Sequence, residues 1–153
     1  MLSEMSHTEY MWMAVEEARA AERAGEVPVG AVVVSADGTV IARAGNRTIR
    51  DCDPTAHAEM VALREAARAL GNYRLGGVTL YVTIEPCAMC AGAMIQARVA
   101  RLVYGADDPR GGAVRSCFGV LEHSALNHRV EIMAGVMAEE CAQVMRAFFA
   151  AKR

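Results

Sequence analysis

The sequence predicts a three-layer α/β/α fold, with helices on both faces of a central mixed sheet of about five strands. Three observations carry that expectation. β-prone runs alternate with stretches of helical periodicity along most of the chain, which is the pattern of a layered α/β architecture. Two β-prone runs near the start, Val29 to Ser35 and Thr39 to Ala44, are separated only by Ala36-Asp37-Gly38, a turn-rich link that predicts a hairpin and hence an antiparallel pair. The chain has 153 residues, 54% of them hydrophobic and 22% charged, enough for one packed core and too few for two full-sized ones. No repeat, low-complexity tract or linker-like run divides it, so residues 1–153 are read as a single domain.

The elements follow in order. Tyr10, Met13, Ala14, Val15, Ala18 and Ala21 recur at helical spacing from Thr8, and Gly25 supplies a stop. The hairpin comes next. Asp53 and Pro54 form a helix-start pattern, after which Met60, Val61, Leu63, Ala66, Ala67 and Leu70 lead to Gly71. Val78 to Ile84 is β-rich, and Pro86 suits a first helical turn ahead of Cys87 to Ala97, whose small and apolar residues predict a buried helix. Arg101 to Ala106 and Arg129 to Met133 read as two further strands, and Val136 to Ala151 as a closing helix. Gly105 to Asn127 carries no clear pattern.

Several function classes drop out on composition. The longest apolar stretches, Met11 to Val15 and Val29 to Val34, are far short of the roughly 20 residues that span a bilayer, so no membrane span is expected. Glu4 precedes the first basic residue, Arg19, unlike the basic start of a secretory signal; the expected compartment is the cytoplasm. A net charge of −2 and a pI near 6.1 give no bulk support for nucleic-acid binding. Arginine is concentrated locally, at Arg43, Arg47 and Arg50 and again at Arg98, Arg101, Arg110 and Arg115. Five cysteines form an odd set, and the close pair Cys87 and Cys90 points to metal or redox use rather than a disulfide framework.

The chemistry concentrates in His57-Ala58-Glu59 and Pro86-Cys87-Ala88-Met89-Cys90, each at a predicted helix start. Cysteines at i and i+3 share a helical face, so two thiolates can converge on one ion and His57 can complete a trigonal base; zinc fits such a ligand set. Helix N-termini lower thiol pKa values and favour the thiolate that a metal requires. Three protein ligands leave a fourth position open, which is the catalytic rather than the structural form of a zinc site. Glu59, two residues beyond His57, is not needed as a ligand. Two thiolates cancel the formal charge of Zn²⁺, so the ion acidifies water less than an all-histidine site, and a nearby base is required. Glu59 is suited to take the water proton and deliver it to a ring nitrogen and then to a departing amine, which is hydrolytic deamination. Taken alone, Cys-x-x-Cys also fits a redox pair, half of a structural zinc site or two buried thiols, and Cys52, Cys117 or His123 would close the coordination sphere if folded against it.

Those two segments, Pro54-Thr55-Ala56-His57-Ala58-Glu59 and Glu85-Pro86-Cys87-Ala88-Met89-Cys90-Ala91-Gly92-Ala93, resemble the zinc motifs of the cytidine deaminase superfamily. Gly25 to Ala31, Gly45-Asn46-Arg47, Asn72 to Leu75 and Asn127 to Ile132 resemble more narrowly the bacterial tRNA-specific adenosine deaminases, over nearly the whole chain. The resemblance implies a cytidine deaminase-like fold, one Zn²⁺ per subunit held by His57, Cys87 and Cys90, with Glu59 catalytic. It implies conversion of the wobble adenosine, position 34, of an arginine tRNA anticodon to inosine, by hydrolytic attack at C6 with loss of ammonia. The partner would be the anticodon stem-loop, and the enzyme a homodimer. By the same resemblance Asn46 hydrogen-bonds the base and Asp108 contacts the sugar or backbone beside it. Taken as local sequence, Asn46 after Gly45 and Asp108 before Pro109 also read as turn residues. Asp107 departs from the pattern by setting a second acid beside Asp108. Two other functions stay open at this stage: a free-base guanine or cytosine deaminase, and a noncatalytic zinc-stabilised RNA-binding module.

Overall fold

Ser6 starts the first helix by a reciprocal cap: its hydroxyl accepts the Glu9 N–H, and the Glu9 carboxylate accepts the Ser6 N–H, both at 3.2 Å. In this computed structural model residues 6–152 are described; Glu4 and Arg153 lie outside them. The elements are α1 (His7–Arg23), β1 (Gly30–Val34), β2 (Val40–Gly45), α2 (Ala58–Leu70), β3 (Thr79–Ile84), α3 (Ala88–Ala97), β4 (Arg101–Ala106), a 3₁₀ turn (Val120–Glu122), β5 (Glu131–Met133) and α4 (Ala138–Ala151). The five strands form one sheet in the order β2-β1-β3-β4-β5. Strand β1 is antiparallel to β2 and β3, whereas β3, β4 and β5 run parallel. This is the mixed five-stranded sheet that the pattern predicts.

Alternate residues of the buried strands feed two cores, because successive strand side chains point to opposite faces. Ala31, Val33, Leu80, Val82, Leu102 and Tyr104 cluster with Ala58, Ala62 and Leu63 of α2 and Ala91 and Met94 of α3. Val32, Val34, Tyr81 and Val103 cluster with Met11, Ala14 and Val15 of α1 and Cys141 of α4. The three layers are therefore α2 and α3, the sheet, and α1 and α4. Gly30 allows the close approach of α1 to β1, since a Cβ there would overlap the Ala14 carbonyl oxygen. Among the described residues no helix is long and apolar enough to cross a membrane.

Most boundaries shift by one or two residues from the expectation, and two of the shifts have a visible local cause. Helix α2 begins at Ala58, not at Asp53-Pro54. The Asp53 carboxylate accepts the Thr55 N–H at 2.8 Å and the Thr55 hydroxyl at 2.7 Å, which closes a local turn in competition with the helix. Strand β5 is shorter than the predicted Arg129 to Met133, because His128 is drawn to the Val99 carbonyl at 2.7 Å. The sheet topology fixes where function can lie. Strands β2, β3 and β4 all end at one edge, so Asn46, Cys87 and Asp107 with Asp108 follow the carboxyl ends of parallel strands, where open α/β sheets place their ligand crevices.

Candidate metal centre and active site

The N-termini of α2 and α3 converge at that edge. His57 is the N-cap residue of α2 and Cys87 that of α3, both in extended backbone conformation, and Cys90 lies in the first turn of α3. Neither N-cap side chain closes its own helix. His57 Nδ1 lies 3.5 Å from Cys87 Sγ and 3.6 Å from Cys90 Sγ, and the three ligand atoms all fall within 4.8 Å of one another. A tetrahedral zinc with ordinary Zn–S and Zn–N bonds separates sulfur from nitrogen by about 3.6 Å. The two sulfur–nitrogen separations match that geometry, with Nδ1 rather than Nε2 as the nitrogen.

Protonation in this cluster is strongly coupled. The Cys87 thiol is held down to about 3 by hydrogen bonds from Cys90 and His57, which outweigh burial. The thiol of Cys90 is pushed far up, first by its hydrogen bond to Cys87 and then by burial and the charge of Glu59. The Cys87 hydrogen bond raises His57. A divalent cation is what lets both sulfurs ionise together. Cys52, Cys117 and His123 are exposed, and His57, Cys87 and Cys90 are the group that converges among the described residues. A closed four-ligand site is therefore not formed by those three.

Glu59 is buried at 3% exposure, and its Oε1 has no hydrogen-bond partner among the described residues. Burial pushes its carboxyl pKa up, while its own backbone N–H and the charge of His57 pull the other way. An unpartnered carboxylate oxygen in a closed interior costs free energy. It lies in the first turn of α2, two residues past His57.

Asn46 and Asp108 both reach the same edge of the sheet. Asn46 is buried and does not form a local turn: its Oδ1 accepts the Ala58 N–H at 2.8 Å, supplying from the end of β2 the cap that His57 does not give to α2. Asp108 does form a turn, its Oδ1 accepting from the N–H of Arg110 at 3.1 Å. It also borders a cavity of about 830 Å³ with Ile84, Pro109, Arg110, Met145 and Phe149. Asp107 accepts from the Tyr104 hydroxyl at 3.1 Å. The arginine clusters are less bare than the sequence suggests, since Arg43 pairs with Glu17, Arg47 with Asp51, Arg50 with Glu26, Arg101 with Glu131 and Arg115 with Glu122.

Two buried carboxylates escaped the sequence reading. Glu26 accepts the N–H groups of Ile49 at 3.1 Å and Arg50 at 2.7 Å, and the Arg50 side chain reaches the Asn46 carbonyl at 3.1 Å. Glu26 thereby fixes the loop that carries Asn46. The signal was present: an acid one residue before Val27-Pro28 and an apolar strand needs partners when that strand is buried. Burial alone would raise the Glu26 pKa, but the Arg50 and Ile49 N–H groups and the Arg50 guanidinium outweigh it and hold the carboxyl below the usual range. A depressed folded pKa contributes stability above the unfolded value of about 4.3 that is lost as pH falls through the folded one. Glu26→Gln is expected to lower the urea midpoint at pH 7. The gap from wild type should close as the pH is taken below about 4, and a gap that is the same at every pH would contradict the assignment.

Glu85 is the other. At 2% exposure it accepts the N–H groups of Asp108, Val114, Arg115 and Ser116 and the Ser116 hydroxyl. Burial raises its pKa, and these donors more than reverse that, holding it at about 2.

A family model for MafB19-like deaminases matches residues 5–153. The chain belongs to this deaminase family. A tRNA-specific adenosine deaminase of Bacillus subtilis is 49% identical over 140 residues, which cover 92% of this chain and 86% of that one. A solved structure from a study of A-to-I editing by tRNA:A34 deaminases at the wobble position of transfer RNA matches this deaminase with a TM-score of 0.86 at 49% identity, covering 90% of this chain and 99% of that one. The solved guanine deaminase of the same organism, Bacillus subtilis, is 42% identical but covers 67% of this chain and 66% of its own, with a TM-score of 0.65. The zinc-dependent deaminase chemistry of the family meets a matching ligand set at His57, Cys87 and Cys90.

Proposed function

We propose that this deaminase converts adenosine 34, the wobble base of an arginine tRNA anticodon, to inosine, acting on the anticodon stem-loop as a homodimer in the cytoplasm, with residues 1–153 forming one catalytic domain. The observation that carries the reading is the convergence of His57 Nδ1, Cys87 Sγ and Cys90 Sγ beside the unpartnered Glu59 Oε1. The 49% identity to tRNA-specific adenosine deaminases over nine-tenths of the chain supports the RNA substrate.

The proposed roles divide as follows. His57, Cys87 and Cys90 would hold zinc, which when bound would supply a Lewis acid that makes water nucleophilic at neutral pH. Glu59 would take one proton from the attacking water and place it on the purine ring nitrogen next to C6 as the water oxygen bonds to C6, then carry that oxygen's remaining proton to the amine. The C6–N6 bond breaks and ammonia departs, leaving inosine. Asn46 has Oδ1 committed to Ala58, so its amide nitrogen is the end left to donate to the base. Asp108, in the loop that leaves the carboxyl end of β4 at the same sheet edge as Cys87, is suited to the sugar hydroxyls of a nucleotide turned out of a single-stranded loop.

The test is inosine or ammonia formation by the purified zinc protein, offered in parallel an anticodon stem-loop, the same loop lacking adenosine 34, free guanine, cytosine and cytidine. Inosine at position 34 alone is expected. Turnover of a free base alone would overturn the substrate assignment, and no turnover at all would restore the binding-module reading. A mass in solution equal to one 16.4 kDa chain would remove the homodimer.

A further inference from the structure

From Asp107 to Gly119 the chain has neither helix nor strand, so its backbone N–H groups must find acceptors elsewhere. Four of them find the same one. Glu85 Oε1 accepts the Asp108 N–H at 3.0 Å, and Glu85 Oε2 accepts those of Val114 at 3.1 Å, Arg115 at 2.8 Å and Ser116 at 2.9 Å. The Ser116 hydroxyl donates to Oε1 as well. Both oxygens are therefore engaged, and the buried anion is balanced by backbone dipoles, a concave nest of N–H groups of the kind that ordinarily binds a free anion. The loop is wrapped on the carboxylate closely enough that a Cβ at Gly112 would overlap the Glu85 carboxyl group. The next residue continues the tie, since the Pro86 carbonyl accepts the Ala113 N–H at 2.8 Å. Glu85 and Pro86 directly precede Cys87.

We infer that Glu85 is a positioning residue for the deamination reaction: its carboxylate is the internal template on which the 108–116 loop folds, so that Asp108 is set in register with the metal cluster from the end of the same strand that presents Cys87. This deepens the proposed function and rests on it for the role of Asp108. Glu85 cannot itself touch substrate, because its oxygens are saturated by the loop. The work it does is geometric. Strand β3 delivers the ligand through Cys87, and through Glu85 it dictates the path of a loop leaving the neighbouring strand β4. A substrate-contacting loop that would otherwise be a flexible connection is thereby tied to the rigid part of the sheet.

Two variants test this from opposite sides. Glu85→Gln keeps the shape but replaces one acceptor oxygen by an N–H₂ group facing N–H donors. Gly112→Ala leaves the carboxylate in place and drives the loop off it, which separates loop release from any folding defect of a strand-end substitution. Zinc content, amide hydrogen exchange and steady-state kinetics on the anticodon stem-loop are measured for both against wild type. The expected result is unchanged zinc stoichiometry, exchange at Asp108, Val114, Arg115 and Ser116 accelerated at least a hundredfold with β3 and β4 amides still protected, and a KM raised tenfold or more while kcat stays within about threefold. Unaltered exchange at those four amides overturns the template. Lost protection or a lowered melting temperature with KM within twofold of wild type also overturns the inference, by making Glu85 merely structural. Wild-type protein that leaves the stem-loop unreacted overturns the functional reading instead, and the exchange pattern then decides the template by itself.

Discussion

Glu59→Gln is expected to lower kcat for inosine formation by about 10³-fold or more while zinc content stays at the wild-type level. The substitution is nearly isosteric and removes the one property that matters, an oxygen able to accept and return a proton. Positioned general acid and base groups contribute about 10²–10⁴-fold, and one carboxylate serving both proton transfers belongs at the upper part of that range. Glu59 is not in the converging ligand group, so the metal has no reason to leave. Stability separates this from a folding defect. The carboxylate is buried, with Oε1 unpartnered, so neutralising it removes a desolvation cost, and the urea midpoint should hold or rise. Activity lost while stability is kept or gained is the pattern of a residue retained for chemistry. Turnover within tenfold of wild type would reject the proton-transfer role, and loss of zinc would make Glu59 part of the metal site.

The order of elements was legible because its signals are local. Tyr10, Met11, Ala14, Val15 and Ala18 keep a helical spacing and are buried, and the uninterrupted apolar run Val32-Val33-Val34 reads as a strand covered on both faces. The converging group of His57, Cys87 and Cys90 was legible because a metal needs particular side chains at particular spacings. What the sequence hid is non-local. The cap of α2 comes from Asn46, twelve residues upstream, and Asp53-Pro54, which has the local form of a helix start, is drawn into a turn instead. The 107–119 loop has no periodicity to read, because its conformation is stored in Glu85, more than twenty residues away. The arginine clusters lost their apparent excess of charge to acids such as Glu17 and Glu26, which the chain brings near only on folding. Side chains that answer to a chemical requirement can be found in one dimension. Side chains that answer to a fold must be found in three.

Cys90→Ala is the second large effect, and it acts on the metal rather than on the proton. Cys90 is wholly buried, with its sulfur 3.6 Å from His57 Nδ1, and its removal leaves an imidazole and one thiolate. Four-ligand zinc sites in peptides bind with roughly 10–16 kcal/mol, so one ligand is worth about 3–4 kcal/mol, or two to three orders of magnitude in affinity. A three-ligand site has no spare ligand to absorb that loss. Zinc should be stripped from Cys90→Ala by a chelator concentration that leaves wild type loaded, and inosine formation should fall with the metal content. The zinc-linked part of the melting temperature should vanish too, since a ligand stabilises only the fold that binds it. Cys117→Ala provides the contrast: Cys117 is exposed and its sulfur donates to the Pro109 carbonyl, so its zinc should match wild type. If Cys90→Ala holds zinc as tightly as wild type, the ion is carried by other residues, and the geometry of His57, Cys87 and Cys90 belongs to packing alone.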